Sequence, residues 1–127
     1  MKSLISALSL STILWAQLAL AAETPFNQAQ FEAARAAGKP VAVVFHADWG
    51  PTCRAQAPVV KQISETPEFA PVTVYVADFD AEKALKKSLG VTQQSTIVVF
   101  KGKQEVGRST GDSQAASLSA LMRHAIS

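Results

Sequence analysis

The chain of 127 residues holds one cysteine, Cys53, and two histidines. A single cysteine excludes an intrachain disulfide framework. His46, Asp48 and Cys53 include no close pair of strong ligands, which sets aside a metal site. No sign of charge dominates: 12 Lys and Arg stand against 10 Asp and Glu. That balance points neither to nucleic acid nor to an acidic tail. After the N-terminal segment there is no internal repeat and no low-complexity run. The length suffices for one modest domain and not for two.

The N-terminal segment is the first feature present. Lys2 supplies a positive start, and Leu4 to Leu20 form an apolar stretch diluted by Ser6, Ser9, Ser11, Thr12 and Gln17. Ala19-Leu20-Ala21 is a small-x-small cleavage pattern, with the cut expected after Ala21 or Ala22. Met1 to Ala22 therefore read as a secretory signal, and the five polar residues weaken the alternative of a retained membrane anchor. No cysteine follows the apolar run, which argues against lipid attachment. The expected product is a domain over residues 23–127, periplasmic or secreted, without stable membrane insertion. An unpaired thiol in an oxidising compartment is unusual and needs an explanation.

Along that domain the spacing predicts a short amphipathic helix over Phe26 to Ala37, ended by Gly38-Lys39-Pro40. Val41 to Phe45 is continuous, apolar and β-branched, the pattern of a strand buried on both faces. A helix is expected from Thr52 to Glu65, kinked at Pro58. A second strand follows at Val72 to Ala77, then a helix from Ala81 to Leu89 capped by Gly90. Ile97 to Phe100 and Glu105 to Ser109 read as a hairpin about Lys101-Gly102-Lys103. Ser113 is placed to N-cap a last helix carrying Ala116, Leu118, Leu121, Met122 and Ala125. The expected order is α-β-α-β-α-β-β-α. Helix-separated strands imply parallel pairing, so the fold class is α/β, one mixed sheet with helices on both faces.

The run from His46 to Pro58 (His-Ala-Asp-Trp-Gly-Pro-Thr-Cys-Arg-Ala-Gln-Ala-Pro) resembles the active-site segment of thioredoxins. In that family a Trp precedes a Cys-x-x-Cys pair, and a proline lies five residues after the second Cys. Trp49, Cys53 and Pro58 match in spacing. Val74 to Asp80, Leu89-Gly90-Val91, Thr96 to Lys103 and Gly111 resemble further family segments, so the likeness covers the whole expected domain. It implies the thioredoxin fold with no cofactor. It departs from the family in three places. Gly50 stands where the first cysteine belongs. Ser95 stands where a cis-proline usually faces the site, and a cis bond before a non-proline residue costs about 2.5–4 kcal/mol, so a trans bond is expected. Val44 stands where many members bury an acid that assists proton transfer.

A dithiol oxidoreductase needs two sulfurs, one to attack and one to resolve the mixed disulfide. Cys53 holds the resolving position by resemblance, and Gly50 supplies no sulfur. Three readings follow. In the first, an exported thioredoxin-family protein acts at most as a monothiol on a protein or peptide thiol/disulfide partner, or forms a Cys53-linked dimer; glycine at position 50 is expected to uncover the sulfur. In the second, Cys53 is inert and the surface about Trp49, Gly50, Pro51, Thr52, Gln94 and Ser95 holds an extended peptide. In the third, the chain is a disabled variant of a Cys-Pro-Thr-Cys enzyme. His46 and Asp48 suggest a thiol-imidazole-carboxylate set with Cys53, against the simpler reading that His46 fills an aromatic's place. His124 and the lysines at 83, 86, 87, 101 and 103, with Arg108, read as solvated charge.

Overall fold

A computed structural model describes residues 23–127; the segment read as a signal, Met1 to Ala22, lies outside the described residues. In chain order the elements are β1 (Glu23–Pro25), α1 (Gln28–Ala36), β2 (Pro40–His46), α2 (Pro51–Ser64), a 3-10 turn (Pro67–Phe69), β3 (Thr73–Asp78), α3 (Lys83–Leu89), β4 (Thr96–Lys101), β5 (Gln104–Thr110) and α4 (Ala115–Arg123). The strands form one sheet in the order β1-β3-β2-β4-β5. The pairs β1·β3 and β2·β3 are parallel, and β2·β4 and β4·β5 are antiparallel.

The central place of β2 follows from its composition. Val41, Val43 and Phe45 pack on one face with Phe31, Tyr75, Leu85, Val98 and Phe100, under α1 and α3. Ala42 and Val44 face the other way, into Val60, Ile63, Phe69, Val74, Leu118 and Met122, under α2 and α4. A strand apolar at successive positions can only be satisfied by two covered faces. Phe31, Phe45, Phe69 and Phe100 are fully buried, and each such ring contributes roughly 1.5–3 kcal/mol relative to exposure.

Local chemistry sets the ends of the helices. The Asn27 side chain accepts the Gln30 N–H at 2.9 Å and caps α1. Gly90, left-handed at φ 65°, closes α3. Pro51 opens α2, where its missing N–H is harmless. Pro58 inside α2 cannot donate to the Arg54 carbonyl.

Three expectations are corrected. The strand β1 was absent from the expected order; three residues including a proline carry no readable alternation. The strands flanking α3 do not pair: β3 and β4 lie on opposite sides of β2, and β4 runs antiparallel to it. Ser113 does not cap α4. The N-cap is Gln114, with no side-chain capping bond, and Asp112 Oδ1 accepts the Gln114 N–H at 2.9 Å instead.

Candidate functional site

The end of β2, the start of α2 and the loop before β4 converge on Cys53. Phe45 ends the buried run of β2; the chain then turns through His46 to Trp49 and enters α2 at Pro51. Cys53 lies in the first turn of α2 and is fully buried, with 0% of its surface exposed. Its Sγ lies 2.7 Å from Ser95 Oγ and 4.0 Å from the Phe45 carbonyl oxygen.

Position 50 does not uncover this sulfur, contrary to expectation. Gly50 is itself buried, and the Gln94 side chain lies over it. A Cβ at position 50 would sit 3.3 Å from Cγ and Nε2 of Gln94 and 3.4 Å from the Ala47 carbonyl oxygen. The Gly50 backbone, at φ −84° and ψ 121°, is open to any residue. Glycine is therefore not demanded by the chain path, and a side chain there would require the Gln94 side chain, its Cγ included, to give way slightly.

The loop before β4 carries the unusual backbone. Every peptide bond among the described residues is trans, the bond before Ser95 included. Ser95 is the one non-glycine residue among them with a positive φ, at 60°. A left-handed conformation costs an L-residue roughly 1–2 kcal/mol, so it persists only where its surroundings over-determine it. They do so here. The Ser95 N–H donates to the Phe45 carbonyl at 2.8 Å, and its carbonyl accepts from Gly111 N–H and from Gln56 Nε2, both at 3.1 Å. The hydroxyl engages Cys53, and Ser95 is buried.

Trp49 is the exposed large hydrophobic residue of the described chain, at 59%. Its Nε1–H donates to Asp80 Oδ2 at 2.7 Å, which fixes the ring beside Gly50 and leaves its faces in solvent. Pro51 is exposed and Thr52 half-buried on the first turn of α2; Gln94 is half-buried.

The structure does not assemble a thiol-imidazole-carboxylate set. His46 Nε2 lies 2.8 Å from Asp48 Oδ1, but the partners of Cys53 are Ser95 and Phe45. His46 instead faces a cleft of about 430 Å³ lined by Glu23, Pro25, Asp48, Val76 and Asp78. Val44 is buried under α2, so no carboxylate occupies its place. Glu23 lines a smaller hollow with Val44; burial pushes its carboxyl up, while Lys61 and His46 pull it down. Glu23 is exposed as a residue, so the effect is small. Among the described residues no three of His, Cys, Asp and Glu come together to hold a metal.

Gln56 belongs to the site and was not singled out from the sequence. It is buried, and its Nε2 donates to the Ser95 carbonyl at 3.1 Å and the Asp112 carbonyl at 2.8 Å. A signal was available. The buried positions of α2 include Cys53, Gln56, Val60 and Ile63, so the amide interrupts an otherwise apolar stripe at helical spacing.

Comparison with known proteins agrees with this architecture. The thioredoxin family model matches residues 22–124. The chain is 34% identical over 93 residues to the putative thioredoxin-5 of Dictyostelium discoideum, covering 72% of this chain and 88% of that protein. It is 41% identical over 70 residues to the protein disulfide-isomerase erp38 of Neurospora crassa, covering 54% of this chain but only 19% of that longer protein. The crystal structure of Trxlp from Edwardsiella tarda superposes with a TM-score of 0.76 at 34% identity, covering 80% of this chain and 98% of that one.

Proposed function

Since the chain belongs to the thioredoxin family and holds a single cysteine, we propose that it is an exported member that binds an extended partner chain without dithiol turnover. The observation that carries this reading is the inversion of exposure at the site: the thiol has no exposed surface, while Trp49, four residues before it in the chain, is 59% exposed. Resolution of a mixed disulfide needs a second sulfur, and the chain has none. A binding face remains. Trp49 offers an exposed aromatic, and among the described residues neither the N–H nor the C=O of Gln94 has a hydrogen-bond partner. An extended peptide can pair with such a free peptide group while its side chains meet the indole. The N-terminal pattern of Lys2, the apolar run and Ala19-Leu20-Ala21 supports export. No helix of the described residues is long and apolar enough to cross a membrane.

Two measurements test the reading. An aromatic disulfide reagent should leave Cys53 untouched in the native protein and modify it fully in denaturant. Capture of S-carboxymethylated insulin B chain should survive Cys53→Ala and weaken on Trp49→Ala. Rapid native labelling together with loss of capture in Cys53→Ala would return the monothiol reading to first place.

A second reading, a dithiol enzyme disabled at one position, draws support from Gly50. Its backbone accepts any residue and Gln94 can yield. Gly50→Cys should then reduce insulin. An inert Gly50→Cys protein would dispose of this reading and locate the change of role in Ser95 and Val44 as well.

A further inference from the structure

Gln56 spans two loops that reach the site from different parts of the chain. Ser95 precedes β4 and Asp112 precedes α4, and one buried amide nitrogen donates to the carbonyl of each. The same Ser95 carbonyl also takes the Gly111 N–H, and the Ser95 N–H goes to Phe45. Both peptide groups of Ser95 are thus turned inward, in a left-handed conformation that serine does not choose unaided. The preceding residue, Gln94, keeps its own N–H and C=O unpaired among the described residues, beside Gly50 and Trp49. An apolar side chain of equal length at position 56 would pack as well, but it would leave the Asp112 carbonyl without this donor and Ser95 with one tether fewer.

We propose that Gln56 is the positioning residue of the binding face: its amide holds the Ser95 carbonyl inward and thereby presents the Gln94 peptide group beside Trp49 to an extended polypeptide. This rests on the binding reading above and adds to it a residue that touches no partner. The buried amide acts by its donor hydrogens, so a group without them fails even where it fits.

The test uses the full chain with Gln56→Met and Gln56→Glu. Two quantities are read: the exchange protection factors of the Ser95 and Gly111 amides, and the affinity for fluorescein-labelled, S-carboxymethylated insulin B chain. In Gln56→Met, protection at Ser95 and affinity for the probe should each fall by roughly tenfold or more, with amides of β2 and β3 unchanged. Gln56→Glu should fall at least as far as Gln56→Met when its carboxylate is ionised, since a buried charge would then face two carbonyl oxygens. It should recover toward wild type when protonation at acid pH restores one donor hydrogen. Asp112 and Cys53 are the ionisable residues of the surrounding network, so the wild type is measured over the same range. The proposal is overturned if Gln56→Met keeps its Ser95 protection, if protection falls evenly across the domain, or if Gln56→Glu shows no pH dependence beyond wild type. Should Gln56→Met fail to fold, the pH series of Gln56→Glu decides. A wild-type protein that does not bind the probe defeats the binding reading, while the Ser95 protection still reports whether Gln56 holds the loop.

Discussion

Ser95 concentrates the residue-scale energetics, because strain and hydrogen bonding meet in one side chain. Ser95→Ala keeps the left-handed backbone and loses the bond to Cys53, and should cost about 1 kcal/mol in urea unfolding. Ser95→Gly loses the same bond but removes the backbone penalty, so it should be the more stable of the two variants by about 1 kcal/mol. The reverse order would mean that the φ of 60° is not a strain here. The same residues show what the sequence disclosed. Trp49, Gly50 and Cys53 fall in one short run, so their relation could be read directly. The network could not be read, since Ser95 meets Gln56 and Cys53 across 39 and 42 residues. Only the folded chain brings those segments together.

Elements were legible where their patterns were long. The buried run of β2 and the stripe of α4 announced themselves, whereas β1 has three residues and no alternation. The pairing of β4 departs from the parallel pattern for a physical reason. Right-handed crossover rules describe strands that are parallel, and the segment through α3 instead carries the chain to the far side of β2, where β4 enters antiparallel. The hairpin turn that follows β4 rests on the end of α1. The Gly102 N–H donates to the Lys39 carbonyl at 3.0 Å, and a Cβ at Gly102 would lie 3.0 Å from the Gly38 Cα. With φ at 60° as well, Gly102→Ala should destabilise by roughly 1–2 kcal/mol. The loss should appear as a lowered urea midpoint with an unchanged slope.

At the scale of the whole molecule, acid acts on the carboxylates in opposite directions. The Arg108 hydrogen bond holds Glu105 below the ordinary value of 4.5, so the pair stabilises the fold above that value and ceases to do so as pH falls through the lowered one. Glu23 is raised, chiefly by burial. Its ionised form burdens the fold at neutral pH, and protonation relieves that burden as pH falls through the raised value. Glu105→Gln should therefore lower the urea midpoint at pH 7, and Glu23→Gln should raise it. Both differences should be within about 1 kcal/mol because both residues are exposed, and both should vanish in acid. Midpoints of the two variants measured against wild type over the acid range check the signs. The network about Ser95 has a further consequence, one of timing. It gathers a carbonyl from β2, a side chain from α2, a turn before β4 and the loop before α4. Until the chain has been made past Asp112, the Ser95 carbonyl lacks the Gly111 N–H and Gln56 lacks its second acceptor, and nothing local favours the left-handed form. The proposed binding face is therefore among the last parts of this domain to form, and a chain that emerges from one end remains without it until residue 112 has been made.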